Sequence, residues 1–246
     1  MVVHRGAKAR ELREKWKDSI IPSRWLDKWK DCGDDFKIPV PPKLKEAFPK
    51  LTEDALIQYI VKLAGIRPDQ GAKSRWIIQG FHDPDIHLLN RSVPTPEGRD
   101  VPLTLQFLAS IKAKAAVADV SGAFAQGLRN QRDKPLFVSP PPGGGIPGED
   151  QDVLVELKAE IYGLVSGPPG WRRSLLTTFK ALGFSSHPLA PCVVTMYDGN
   201  RPVGAICIET DDLLLGGIGP KFHAAVEQLK KEYKFGEWKE LQTETT

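Results

Sequence analysis

The sequence predicts an α+β fold, and three observations carry that prediction. Helix-period stretches at residues 52–63, 171–182 and 220–233 stand apart from strand-like runs at 115–120, 193–197 and 202–209. The elements come in runs instead of alternating strictly as strand and helix, which argues against a doubly wound parallel sheet. The turn signal Asp198-Gly199-Asn200 joins two of the strand runs, as expected of an antiparallel hairpin.

Taken in order, residues 7–30 are rich in Lys, Arg and Glu with Trp16, Trp25 and Trp29 interleaved. The Trp25/Trp29 spacing puts both rings on one face of a helix, with Pro22 interrupting it. Such a segment either stacks on nucleic acid or is a solvated helix whose tryptophans pack on the domain. Residues 31–49 read as a loop, since Pro39, Pro41 and Pro42 exclude a helix there. Thr52 is placed to cap the next helix, Glu53 and Asp54 suit its positive end, Leu56, Ile57, Ile60 and Leu63 form its stripe, and Gly65 stops it. Residues 71–81 read as a strand in which Lys73 and Arg75 share a face. Taken alone, that pair is consistent with a solvated surface.

The turn-rich stretch 83–102 shows no chemistry, and the spacing of His82 and His87 does not suit metal ligation. Residues 103–110 suit a helix packed on the sheet. A basic patch of Arg129, Arg132 and Lys134 leads to Pro135–Val138, and Pro140–Gly145 forms a loop that lacks the Gly-Lys-Ser/Thr of a phosphate loop. Residues 153–164 read as a strand ending in a turn at Tyr162-Gly163. The helix at 171–182 carries Leu175, Leu176, Phe179 and Leu182 on one stripe with Gly183 beyond its end. The last helix begins near Pro220 and turns Phe222, Val226, Leu229 and Tyr233 inward.

The chain has 246 residues and a net charge of +3, so any nucleic-acid groove depends on local clustering of Lys and Arg. Cys32, Cys192 and Cys207 lack zinc-site spacing and read as packing residues of a reducing compartment. No run of apolar residues is long enough for a bilayer and no secretory signal opens the chain. These features predict a soluble, intracellular protein, cytoplasmic or nuclear, without a membrane partner.

Chemistry enters at the acids. Asp211 and Asp212 interrupt an apolar run from Ala205 to Gly217, and Asp119 ends a run of small and β-branched residues before a tight turn. Asp211 and Asp212 alone fit a solvated turn. If the two strands are neighbours, three carboxylates converge into a hard-oxygen cluster suited to Mg²⁺.

In order, Asp119-Val120, Ala123-Phe124, Gly127, Ile161-Tyr162-Gly163-Leu164, Trp171, Gly183-Phe184 and Thr210-Asp211-Asp212 resemble the reverse transcriptase domain of copia-type retrotransposon polyproteins. Upstream, Ala72–Trp76 with Gly80-Phe81 is similar to the basic fingers motif of that family. The resemblance implies a polymerase palm, a ferredoxin-like sheet with helices on one face, plus fingers and no thumb. It divides the chain into an extension (1–50), fingers (51–115) and palm (116–246).

The resemblance also implies RNA-directed DNA synthesis on an RNA or DNA template with primer, from deoxynucleoside triphosphates. Asp119, Asp211 and Asp212 would hold two Mg²⁺ ions, replaceable by Mn²⁺, with Val120 lending a backbone carbonyl. Lys73, Arg75, Ala123, Phe124 and Ser166 would surround the nucleotide. Lys73 and Arg75 would grip its triphosphate, and Phe124 is either an aromatic gate against a 2′-hydroxyl or a core residue. The family usually has Tyr-Gly-Leu-Lys-Gln-Ala-Pro-Arg, whereas here Ser166 replaces Gln, Pro169 replaces Arg, and Glu209 replaces an aromatic or His. These departures and the missing thumb predict weak synthesis; a decayed remnant that at most binds nucleic acid is the alternative, and an unrelated Mg²⁺-dependent phosphoryl-transfer enzyme a third reading.

Overall fold

A run of strand, helix and strand opens the chain: β1 (Val2–Arg5), α1 (Gly6–Lys15), β2 (Ile20–Ile21) and then the nine-residue β3 (Ser23–Asp31). The computed structural model describes residues 1–32, 37–65, 67, 70–89, 91–127, 132–141 and 152–241. Trp25 lies on β3, not on the helix its spacing predicts. Helical geometry has already ended by Ser19, the strand β2 precedes Pro22, and the alternating Arg24, Trp25, Leu26 pattern suits a two-faced ribbon.

A short helix α2 (Pro42–Ala47) occupies part of the expected loop. Proline at its first turn needs no hydrogen-bond partner, so Pro42 starts the helix instead of excluding it. Helix α3 (Glu53–Ala64) has the expected ends: the Thr52 hydroxyl accepts from the Ala55 amide at 3.3 Å and Gly65 closes it at φ 64°. Leu56 is buried as expected, while Leu63 is 76% exposed. Strand β4 (Gln70–Ile78) pairs with β3 along its whole length, from Ser23 opposite Ile78 to Asp31 opposite Gln70.

Helix α4 (Asp100–Ser110) precedes β5 (Ala115–Val120), the single turn α5 (Ala123–Gln126), β6 (Leu136–Val138) and β7 (Val153–Leu157). The last of these is shorter than expected and ends before the Tyr162-Gly163 turn. Helix α6 (Gly167–Ala181) leads into β8 (Phe184–His187), β9 (Ala190–Asp198), β10 (Arg201–Glu209) and β11 (Asp212–Gly217). Helix α7 (Gly219–Glu232) and β12 (Phe235–Glu240) complete the described chain. Sequence reading missed β8 and β12, which are short and mostly exposed, so hydrophobic alternation hardly marks them.

The large sheet has the order β12-β5-β11-β10-β9-β8 and is antiparallel throughout. Its inner face carries Ala116, Ala118, Leu213, Leu215, Ile206 and Met196, covered by Trp171, Leu175 and Phe179 of α6 and by Phe222 and Leu229 of α7. Helix α4 packs on the opposite face, where Leu108 closes on Gly216. Cys192 and Cys207 are buried, and burial pushes the Cys207 thiol up to about 11, in keeping with a packing role. A second sheet, β1-β7-β6-β2, has its own apolar cluster, to which Ile78 and Trp76 of the β3–β4 ribbon contribute. Among the described residues no helix is long and apolar enough to cross a membrane.

The ribbon is anchored where two backbones touch. The Ile78 amide donates to the Tyr162 carbonyl at 3.1 Å. A Cβ on Gly163 would collide with the Ile78 carbonyl, and one on Gly80 with the Gly163 carbonyl. Gly163 also has φ 100°, which side chains rarely adopt. Gly163→Ala is therefore expected to lose more than about 3 kcal/mol of stability, since strain and overpacking add. Gly65→Ala, at φ 64° with open space around it, should lose only about 1–2 kcal/mol. Denaturant unfolding of the two variants checks this, and equal losses would show that backbone strain alone matters.

Candidate active site

Strand β5 runs between β11 and β12, and its pairing with β11 sets Asp119 directly opposite Asp212. On the other side of Asp212, Glu209 of β10 is its direct partner. Side chains alternate across a strand, and Ala118, Val120 and Leu213 point into the core. Asp119, Asp212 and Glu209 therefore form a row on the face turned away from α6 and α7. Asp211 sits in the two-residue turn between β10 and β11, and its carbonyl accepts from the Val120 amide at 2.8 Å. The strands are thus neighbours, and the hydrogen-bond register brings Asp119, Asp211 and Asp212 to one end of one sheet.

Electrostatics records the crowding. Burial, then Asp211, Asp119 and Glu209, hold the Asp212 carboxyl above the usual aspartate range. Among the described residues no three His, Cys, Asp or Glu side chains are drawn close enough to hold a metal ion. The site is proximity without convergence, as mutual repulsion of like charges favours.

The walls come from four elements. Thr210 has φ 56°, unusual for a β-branched residue, and its carbonyl accepts from the Trp171 indole N–H at 2.7 Å. Trp171, 1% exposed, stacks edge-on with Tyr233 at 5.2 Å, so α6 grips the acidic turn from inside the core. Gly236 of β12 leaves room for Asp119, since a Cβ there would stand 2.7 Å from its carboxylate. Tyr162 faces the acids: burial and then Asp211 raise its phenol, Arg75 opposes that shift, and Asp119 adds to it.

Arg75 is exposed, with its guanidinium 5.9 Å from the Tyr162 ring centroid. Lys73 shares its strand face by register, and its side chain lies outside the described residues. Ala123 and Phe124 are in the core at 0% and 8% exposure, and the Phe124 ring packs 4.7 Å from Tyr162. The more accessible aromatic at this point is thus Tyr162. In the sequence Tyr162 stands out only as part of a motif, since no periodicity marks a turn residue as part of a site.

Ser166 is committed elsewhere. Its hydroxyl donates to the Glu160 carboxylate at 2.6 Å and accepts from Arg132 at 3.3 Å. Arg132 in turn grips Asp83 with two bonds of 2.8 and 2.5 Å. Asp83 has a side-chain exposure of 0% and Arg132 of 8%, so Arg132 is no part of an open basic patch. Arg129 and Gly143–Gly145 lie outside the described residues. Burial works against the Arg132 charge, yet the bond to Asp83 and the nearby Asp83, Glu160 and Asp85 charges together hold it above its ordinary value. The stretch in which sequence showed no chemistry supplies this buried acid. Asp83 precedes Pro84 in a turn-rich run, where an acid reads as solvated.

An antiparallel sheet that lines up acids across adjacent strands beneath a cation-bearing ribbon is an arrangement suited to phosphoryl-transfer chemistry. The profile of the family described as reverse transcriptase (RNA-dependent DNA polymerase) matches residues 59–243, and the chain belongs to that family. A putative transposon Ty5-1 protein of Saccharomyces cerevisiae is 31% identical over 110 residues, covering 45% of this chain and 34% of that protein. The chain thus spans about a third of the length of the curated relative it matches.

Two outcomes follow from these charges. The folded state binds a proton at Asp212 more tightly than the unfolded chain does, so ionisation of Asp212 destabilises the fold. Asp212→Asn should raise the melting temperature at pH 7, and the gain should disappear as pH falls from the raised value through the ordinary aspartate range. A melting-temperature series against pH checks this, and a gain that persists in acid would point to packing instead. Arg132→Met strands Asp83 in the interior and should cost about 3–5 kcal/mol in denaturant unfolding.

Proposed function

We propose that the chain is the RNA-directed DNA polymerase domain of a copia-type retrotransposon, acting by two-metal nucleotidyl transfer. The observation that carries this reading is the direct pairing of Asp119 with Asp212 beside Asp211, in a chain of the reverse transcriptase family. In this reading the large sheet is the palm and the β3–β4 ribbon belongs to the fingers.

The donor types suit Mg²⁺ or Mn²⁺, while among the described residues the carboxylates stand near one another without converging. Three hard carboxylates share one sheet end, and the raised Asp212 carboxyl reports a field that favours added positive charge. When bound at Asp119, Asp211, Asp212 and the Val120 carbonyl, the two ions supply a lowered pKa for the primer 3′-hydroxyl and neutralise triphosphate charge. The chain's own residues do the rest. Arg75, with Lys73 on the same strand face, binds phosphate oxygens from the fingers side. Tyr162, backed by Phe124, presents the aromatic surface beside the sugar. Trp171 fixes the Thr210 carbonyl and so keeps Asp211 at the head of the turn. Template with primer and deoxynucleoside triphosphates are the substrates.

Two observations favour the second reading, a remnant that keeps the fold and at most binds nucleic acid. Glu209 adds a fourth acid directly beside Asp212, and the Ser166 hydroxyl is consumed by Glu160 and Arg132.

Primer extension on a homopolymer RNA template at low salt, with Mg²⁺ or Mn²⁺, separates the two. Extension is expected, weak and salt-sensitive, and Asp119→Asn, Asp211→Asn or Asp212→Asn should each lower it by about two to three orders of magnitude. No extension with either ion, or full activity in the three variants, would sink the polymerase reading.

A further inference from the structure

The six-stranded sheet has two open edges, and they differ in charge. Strand β12 at one end carries Glu237, Lys239 and Glu240, the kind of charged edge that deters further pairing. Strand β8 at the other end reads Phe-Ser-Ser-His, with no Lys, Arg, Asp or Glu, and its outer side pairs with no strand among the described residues. The register against β9 shifts only after Ser186, so Phe184 to Ser186 stay regular, opposite Met196 to Val194. Ser185, Ser186 and His187 are exposed. An edge with open main-chain groups and no charge to guard it is a template for one more strand.

The same edge borders a cleft. Between β8 and α6 lies a space of about 480 Å³ whose floor is Leu176, Phe179, Phe184 and Val194. Arg173 and Lys180 stand on its α6 rim, two turns apart on one helix face and so about 10.5 Å apart along the axis. Both are exposed, and among the described residues neither side chain has an ion-pair or hydrogen-bond partner. No Asp or Glu lines the cleft. Unpaired cations above an apolar floor, beside an open strand edge, suit an occupant that brings acids, an apolar side chain and a main chain of its own. A second copy suits the site less well: pairing β8 with β8 about a two-fold axis keeps the same face upward in both, which sets α6 and its cations against their like. A nucleic acid would meet the two cations and leave the strand edge unpaired.

We propose that the β8 edge and the α6 cleft together form a docking site for an extended, acidic segment of a partner protein, which adds a seventh strand to the sheet. Side chains alternate along an added strand. One apolar residue thus enters the cleft, while acids two positions before and after it, about 13 Å apart, face Arg173 and Lys180. The long, flexible stems of the two cations close the small difference in spacing. Main-chain bonds to β8 supply affinity, and the apolar floor with its two cations selects the pattern acid-x-apolar-x-acid. The acids of β5 and β11 lie on the other face of the sheet, and β11 is three strands away, so docking here does not rest on the polymerase reading.

The test is fluorescence anisotropy with the full chain and an end-blocked, labelled peptide of sequence Thr-Glu-Thr-Leu-Thr-Glu-Thr. Saturable binding is expected, and Arg173→Glu with Lys180→Glu should weaken it about tenfold, since two exposed ion pairs are lost and repulsion is added. The same double variant should bind the peptide with Lys in place of both Glu better than the parent does, which separates charge from loss of fold. Replacing the peptide's Leu by Ser, or methylating the alternate set of its amides that faces β8, should each lower affinity. No binding by the parent, no loss on charge reversal, or affinity indifferent to methylation of either alternate set would each overturn the proposal. Equal displacement of the peptide by single-stranded RNA or by polyglutamate would also overturn it, by marking a plain polyanion site. Sedimentation of the parent alone checks the remaining occupant: a monomer is expected, and a dimer that the peptide dissociates would assign the edge to a second copy instead.

Discussion

The contact on which the rest depends is the crossing of two backbones at Gly80 and Gly163. Neither site has room for a Cβ, and the Ile78 amide to Tyr162 carbonyl bond locks the crossing in register. A position fixed by main chain on both sides cannot drift as side chains repack. Tyr162 leaves this crossing toward the acids, Leu164 enters the core of the small sheet, and α6 starts three residues later at Gly167. One turn of α6 further on, Trp171 holds the Thr210 carbonyl. The ribbon, the aromatic wall and the acidic turn are thus positioned by one short stretch of chain, and the buried Asp83–Arg132–Ser166–Glu160 network braces it from the other side.

That rigidity matters because the acids themselves are unfavourable neighbours. Asp119, Asp212 and Glu209 stand in a row on three adjacent strands, each facing a like charge. The sheet tolerates them because its other face is a continuous core from Ala116 to Leu215, closed by α6 and α7. Apolar burial of many side chains outweighs a few unfavourable contacts at an edge exposed to water. The cations that could offset the acids sit on the ribbon, across Tyr162, and among the described residues Arg75 forms no ion pair with them. Charge of opposite sign is thus held apart, which leaves both sets able to engage a ligand carrying its own charges.

Much of this was legible from residue order. The helix from Glu53 to Ala64 has its cap and stop in the sequence, and the Asp198-Gly199-Asn200 turn and the acidic hairpin appear where pattern places them. The acids could be paired only through the resemblance, because β5 and β11 are separated by more than ninety residues and periodicity carries no long-range information. The Trp25 segment misled for a physical reason: residues four apart share a face in a helix and in a strand alike, so spacing alone cannot choose between them. Ser166 misled for another. A hydroxyl standing where Gln is usual reads as a lost ligand contact, yet it is bound to Glu160 and Arg132, neither of which sequence proximity would have joined to Asp83.

Thr210 shows how the fold concentrates strain where the chemistry is proposed. A β-branched residue at φ 56° costs of order 1–3 kcal/mol and persists only where its surroundings over-determine it. Here they do so from two directions. The Trp171 indole bonds the Thr210 carbonyl from the core, and the Val120 amide bonds the next carbonyl, that of Asp211, from β5. Relaxing Thr210 would swing both carbonyls and break both bonds, one of them to a fully buried ring, so the turn stays in the strained form. The consequence falls on Asp211, in the turn, and on Asp212, the first residue of β11, whose backbone positions these two bonds fix. A carboxylate pair held by main chain and core, with no hydrogen-bond or ion-pair partner for either side chain among the described residues, keeps its oxygens available.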